Sequence, residues 1–290
     1  MARGTFTMVA FGSFMLLGAV GCSDNGAVKA DSRVADAKVT GDAAPAADAG
    51  PAKEAGAADG PSQPITFTAR IEGFGMAGAT VPGVTVELYD NDTGKGTGTK
   101  QTSNADGKVT FAGLLKGKLY GFKATLANYK DTFCWNVKAE TTEERLWVVP
   151  NSVFQIALGL AGLAAQPGKS VVAGAIYWVD GKGTEEGVGC AKVASTPATP
   201  DVRYMKAASG MPAPLSEQAC TANNGTQGNG RFVAVNLAPG QVTIAATDST
   251  GAEIGSTKFW SVADAIAVGN IYAKPSITKN PTPASCGCTP

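Results

Sequence analysis

Six cysteines and no histidine set the chemistry open to this chain of 290 residues. Without histidine, a Ser-His-Asp triad, a Cys-His pair and a His-ligated zinc are excluded. A Ser-Lys dyad or a carboxylate pair stays open in principle, but the acidic residues are scattered and converge in no motif. Asp90-Asn91-Asp92-Thr93-Gly94 carries its glycine one position too early for an EF-hand and lacks the closing bidentate acid, so it reads as a polar hairpin loop. Gly94-Lys95-Gly96-Thr97-Gly98-Thr99-Lys100 lacks the gap and the βαβ context of a phosphate loop, and reads as a flexible loop. Cys286-Gly287-Cys288 has no partner ligands nearby, so no metal is expected there. These residues predict neither a cofactor nor an enzyme.

Cys22 stands apart from the other cysteines. It follows a short apolar run, Met8 to Gly21, preceded by a lone basic residue, Arg3, which is the layout of a secretory signal peptide over 1–21. Ala19-Val20-Gly21-Cys22 resembles the lipobox of bacterial lipoproteins. That resemblance implies a diacylglyceryl group, and so a membrane contact, at Cys22. It also implies a cell-envelope location, with the outer membrane favoured by Ser23. Cys134, Cys190, Cys220, Cys286 and Cys288 remain, an odd number that leaves one thiol free or paired elsewhere. Cys190 and Cys220 are the expected disulfide, because they fall in one unit and flank a long insertion.

Residues 22–64 form an Ala/Pro/Gly stretch with no aromatic residue and only Val28, Val34 and Val39 as branched aliphatics. Such a segment buries too little apolar surface to offset its chain entropy and is expected to be a disordered tether, spanning roughly 35 to 40 Å. Lysine plus arginine and aspartate plus glutamate both number 24, and no basic block points to nucleic acid. The longest apolar stretch beyond the signal, Val153 to Ala165, is too short to span a bilayer.

The rest of the chain repeats itself. Asp106 to Leu119 aligns without gaps on Asn229 to Val242, both reading as turn, strand, Leu, turn glycine, strand. Trp135-Asn136-Val137 matches Trp260-Ser261-Val262 in a register shifted by two, and Gly83 to Val86 resembles Gly187 to Cys190. Two units follow, 65–150 and 170–275. Within them Val84, Val86 and Leu88 alternate with Thr85, Glu87 and Tyr89 as in a half-buried strand. Asn104 to Gly107 and Asn229-Gly230 are hairpin turns. Val242, Ile244 and Ala246 form an inward face in the second unit, while Tyr120, Phe122 and Ala124 alternate out of step in the first; a bulge or a different exposed face would each explain this.

A Gly-Val-x-Val strand, an Asp-Gly or Asn-Gly turn and a Leu-x-x-Gly before the next strand resemble carboxypeptidase regulatory-like domains, over Gly73 to Tyr129 and Gly174 to Gly251. The resemblance implies an all-β chain of two tandem transthyretin-like Greek-key β-sandwiches, and a noncatalytic role. Collagen-adhesin repeats share that fold, and by their example Lys169 and Asn270 could form an isopeptide bond.

Between the units, 151–169 is expected to be a helical connector. Ser152 and Gln155 have capping-box spacing, Val153, Ile156, Ala157 and Leu160 share a face, and Pro167-Gly168 ends the run. A buried strand is the alternative for so short a run. The insertion Ala194 to Gly228 is the candidate recognition loop, with Arg203, Tyr204 and Met205 at a mixed polar and apolar tip. Trp135, Trp147, Trp178 and Trp260 would stack on sugars if exposed, and pack the core otherwise. Residues 276–290 are expected to be a disordered tail. The function expected is that of a lipid-anchored stalk or protein-binding module with an envelope protein as partner; the alternative is a carbohydrate-binding accessory that takes a glycan.

Overall fold

Short apolar-polar alternations punctuated by glycine and asparagine fold as strands throughout the computed structural model, which describes residues 63–74, 79–199, 201–205, 212–213, 226 and 230–282. The first unit contains β1 (Pro64–Gly73), β2 (Thr85–Asp90), β3 (Lys95–Thr102), β4 (Lys108–Leu115), β5 (Leu119–Thr125), β6 (Tyr129–Lys130), β7 (Thr132–Lys138) and β8 (Glu144–Pro150). Helix α1 (Asn151–Leu160) follows. The second unit contains β9 (Ser170–Val179), β10 (Glu185–Gly187), β11 (Lys192–Thr196), β12 (Val202–Met205), β13 (Pro212–Ala213), β14 (Arg231–Leu237), β15 (Gly240–Thr247), β16 (Glu253–Ser261), β17 (Ile266–Val268) and β18 (Ile271–Tyr272). The signal peptide, Cys22 and nearly all of the tether lie outside the described residues.

Both units have the same strand plan. In the first, β1 lies between antiparallel β4 and parallel β8, and β5 lies between β2 and β7. In the second, β9 lies between antiparallel β14 and parallel β17, and β15 lies between β11 and β16. Each unit is therefore a two-sheet β-sandwich. The sandwiches are not joined by the helix alone, because β17 also pairs in parallel with β7 of the first unit. One layer of each sandwich thereby merges into a single 11-stranded sheet, ordered β13-β12-β14-β9-β17-β7-β5-β2-β3 with β10 and β18 on β9.

This central sheet is apolar on both faces. Residues Val86, Phe122, Cys134, Val233, Ile266 and Val268 belong to one core, which the sheet β4-β1-β8-β6 and α1 cover. Phe133, Trp135, Val172, Phe232, Ala234 and Ala267 belong to the other, covered by β11-β15-β16. Successive residues of β7 and β17 thus enter opposite cores, as the period of two requires. The alternation expected in β2 is observed: Val84, Val86 and Leu88 are buried while Thr85, Glu87 and Tyr89 are not.

The repeat extends to backbone detail. Gly113 and Asn236, equivalent in the alignment, have φ of +78° and +63° and sit where β4 and β14 shift register against β1 and β9. The parity difference in the next strand comes from neither a bulge nor a changed face. Leu114 and Leu237 are both buried, as are Tyr120 and Val242, so the turn of the first unit is longer by one residue. Gly94 to Lys100, expected as a loop, is mostly β3, an exposed edge strand.

Helix α1 forms as expected, with its face rotated. Phe154 and Leu158 are buried, whereas Ile156 is 58% and Leu160 54% exposed. Pro150 precedes the helix and no side-chain cap bond is made, so the Ser152–Gln155 capping box is not used. The helix ends before Pro167: Gly162 N–H donates to the Gly159 carbonyl and Leu163 N–H to that of Leu158, with Gly162 at φ +65°. That is a glycine-terminated Schellman end. At the chain's other end, residues 276–282, expected in the tail, pack on the second unit. The Ile277 carbonyl accepts the Trp178 indole N–H at 2.9 Å, and Thr282 Oγ1 accepts Gly189 N–H at 2.8 Å.

Gly107 and Gly117 have positive φ, +73° and +80°. A Cβ on Gly107 would stand 2.7 Å from Thr80 Cβ and 3.0 Å from Val81 N, whereas one on Gly117 meets nothing within 4 Å. Gly117→Ala should cost about 1 kcal/mol and Gly107→Ala about 2 to 4 kcal/mol in urea unfolding. Equal costs would contradict the close approach at the Gly107 turn.

Candidate functional site

The insertion Ala194 to Gly228 is in part framework. Arg203, Tyr204 and Met205 lie on β12, which pairs with β14 and β13 within the central sheet, and not at a loop tip. Tyr204 is 4% and Met205 2% exposed. The Tyr204 hydroxyl accepts the Val193 N–H at 3.0 Å, and burial pushes its pKa up against the opposing effect of that bond. Met205 turns to the opposite core and, with Phe154, Leu158, Val233 and Ile266, borders an apolar cavity of about 40 Å³ beneath α1. Arg203 is half-buried, its Nη1 donating to the Val202 carbonyl at 2.9 Å. Four alternating residues inside an otherwise polar stretch give little periodic signal, which is why sequence reasoning placed them on a tip.

The disulfide expectation is corrected. No disulfide joins the two described cysteines, Cys134 and Cys190; both are buried and neither is a free thiol. Cys220, the partner expected for Cys190, lies outside the described residues, as do Cys286 and Cys288. Hydrogen bonds of Thr226 close the base of the insertion. Its hydroxyl donates to the Val188 carbonyl at 2.6 Å and accepts Ala191 N–H at 3.0 Å, while its carbonyl accepts Cys190 N–H at 2.6 Å.

None of the four tryptophans stands fully exposed. Trp135 and Trp147 are buried, and Trp178 and Trp260 are half-buried. Trp135 lies flat against Gly121, stacks on Phe133 at 5.7 Å and meets Tyr89 edge-on at 5.8 Å. Lys123 caps this cluster, with Nζ 5.7 Å from the Phe133 ring centre and 2.7 Å from Asp131 Oδ2. Burial depresses the Lys123 ammonium, but the hydrogen bond and charge of Asp131 outweigh it and hold its pKa above the ordinary value.

Trp260, the equivalent of Trp135, spans the junction between the units. Its ring covers Gly94, where only a residue without a Cβ fits, and its indole N–H donates to the Asn91 carbonyl at 3.2 Å. Asn91 and Asn136 bond reciprocally: Asn136 N–H to Asn91 Oδ1 at 2.9 Å, and Asn91 Nδ2 to Asn136 Oδ1 at 3.0 Å. Asn136 Nδ2 then crosses to the second unit, donating to Thr257 Oγ1 at 3.1 Å and the Lys258 carbonyl at 2.8 Å. The sequence signal for this joint was the matched pair of tryptophans, which marks the equivalent strands without showing that one reaches across.

The Asp90 loop serves this joint. Asp90 Oδ1 accepts the Thr93 N–H and hydroxyl, both at 2.8 Å, and the Thr93 N–H contributes most to lowering its pKa. Among the described residues no group of three or more His, Cys, Asp or Glu could hold a metal, and no helix is long and apolar enough to cross a membrane. Lys169 precedes β9, whereas Asn270 Oδ1 accepts the N–H of Ala175, midway along that strand, at 3.2 Å. At the rise of a strand those positions are roughly 20 Å apart, so the isopeptide geometry is absent.

No family model matches the chain, and no curated protein matches it. Among solved structures, the Bacillus anthracis TIE protein overlaps 73% of this chain and 34% of its own, at 13% identity and a TM-score of 0.25. A streptococcal ancillary pilin overlaps 74% of this chain and 63% of its own, at 14% identity and 0.22. The full-length major pilin RrgB of Streptococcus pneumoniae overlaps 73% and 48%, at 14% identity and 0.22. The chain thus spans less than two thirds of each. The β-sandwich assignment rests on this chain's own strand pairing.

Asn136 has φ +60°, so Asn136→Ala both strains the backbone and removes the junction bonds. The expected loss is about 2 to 3 kcal/mol, of which Asn136→Gly should recover about 1 kcal/mol. Full recovery in the glycine variant would mean that the bonds across the joint contribute nothing.

Proposed function

We propose that this protein is a noncatalytic, lipid-anchored spacer of the bacterial cell envelope that presents a protein-binding segment. The observation that carries the reading is the merging of two sandwiches into one sheet, with aromatic and asparagine side chains committed to the joint rather than to a cleft. A continuous body of this kind suits a stalk. In this reading the lipid sits on Cys22, the tether read from composition over 22–64 lifts the body from the membrane, and the outer membrane is the favoured site. The two units are of the carboxypeptidase regulatory-like, transthyretin-like type; the repeated placing of β1 and β9 between an antiparallel and a parallel neighbour supports this.

The partner contact is assigned to the insertion 194–228, specifically to residues beyond β12 and before Thr226, because the inward Tyr204 and Met205 belong to the framework. The carbohydrate-binding alternative calls for a row of exposed indoles, which these four tryptophans do not form. The membrane and an envelope protein are therefore the partners, and a glycan is an outcome to test.

Cys22→Ala should move the protein from the membrane fraction to the soluble one. With residues 214–224 replaced by a short Gly-Ser linker, capture of an envelope protein should fall at least about tenfold while binding to cell-wall glycan stays negligible. Undiminished capture would remove the insertion as the contact. Salt-resistant glycan retention, lost on Trp178→Ala, would restore the carbohydrate reading.

A further inference from the structure

A polar cleft of about 200 Å³ opens where α1, the connector to β9 and the start of β17 meet, with Lys130, Lys169, Gln155, Gln166 and Asp264 among its walls. The walls thus carry two lysines and one aspartate, and among the described residues neither lysine has an ion-pair partner. Asp264 is already engaged: its Oδ1 accepts the Gly168 N–H at 2.9 Å. The walls are held in place from several sides. Lys130 Nζ rests 5.2 Å from the Phe154 ring centre, a cation-π contact that fixes the charge without neutralising it.

The connector is clamped at two points by residues in left-handed backbone, Asn236 at φ +63° and Asp264 at φ +59°. Asn236 Oδ1 accepts Gln166 N–H at 2.8 Å, and its Nδ2 donates to the Ala164 carbonyl at 3.2 Å and Asp201 Oδ2 at 2.8 Å. Backbone of this kind persists where its surroundings hold it. The walls of the cleft are therefore set before any ligand arrives, which lowers the ordering cost of binding.

We propose that this cleft binds a small oxyanion, carried as a carboxylate or a phosphate on a group no larger than a single sugar. Lysine ammonium groups recognise such charge as points, and the flanking glutamine amides can take neutral oxygens of the same ligand. The site is separate from the insertion beyond β12, and its fate is independent of the partner contact proposed there.

The test is isothermal titration calorimetry of the full chain in detergent at low salt, with inorganic phosphate and with glucuronate, and sodium chloride as the control. Saturable binding of at least one oxyanion is expected, weakened at least about tenfold by Lys130→Gln and by Lys169→Gln. Lys130→Arg should retain it, and Lys95→Gln on exposed β3 should leave it unchanged. Phosphate alone, glucuronate alone or both would identify the carrier group. The proposal is overturned by no saturable heat at ligand concentrations on the order of 10 mM, or by binding that chloride matches or that the two glutamine variants leave intact. Thermal unfolding of each variant shows whether it is folded, and Lys169→Gln, outside the cation-π contact, provides the test if Lys130→Gln is not.

Discussion

Three residues, Ile266, Ala267 and Val268, pair in parallel with β7 on one side and β9 on the other, and most of the architecture depends on that double pairing. Without it β7 would be the edge of the first sandwich, presenting unpaired backbone to water. With it, β7 is interior to a sheet covered on both faces, and Thr132 through Trp135 and Val137 are all buried. A strand that alternates between two cores has no solvent face, so its sequence reads as a nearly unbroken apolar run. The aromatic cluster of Tyr89, Phe133 and Trp135 would be the outer surface of the first sandwich if that sandwich stood alone.

The side-chain contacts at the joint follow from this pairing. Once the layers are continuous, β16 of the second unit lies beside the outer face of β7, and Asn136 and Trp260 can reach across. The left-handed backbone at Asn136 is tolerable because asparagine accepts it more readily than most residues and because reciprocal bonds to Asn91 hold it there. Helix α1 completes the same arrangement. Phe154 and Leu158 cover the second unit's part of the central sheet on the face that the first unit's outer sheet covers elsewhere.

Much of each unit was legible in the sequence because the signals were local. The alternation through Val84, Val86 and Leu88, the turns at Gly107 and Gly230, and the repeat itself need only neighbouring residues to be read. What the sequence hid depends on distant contacts. The joint rests on pairing between Cys134 and Val268, and no local pattern says which strand edges will meet. The rotated face of α1 and its end at Gly162 depend on what lies beneath it, since Ile156 and Leu160 are as apolar as the residues that are buried. Arg203, Tyr204 and Met205 looked like a tip because four strand residues in a polar insertion make too short a pattern. The first part of the tail was misjudged for a related reason: its anchor is the Trp178 indole N–H, a donor that a half-buried tryptophan must place.

The claim on which the account turns is that the two sandwiches behave as one body through the sheet they share. Native-state hydrogen exchange across a denaturant series tests it most directly, following backbone N–H groups of β5 and β7 in the first unit and β9, β14 and β17 in the second. If the joint holds as described, the slowest amides of both units open with the same free energy and the same denaturant dependence. Two separate sets, with one unit opening while the other stays protected, would contradict it and leave two independent domains in contact.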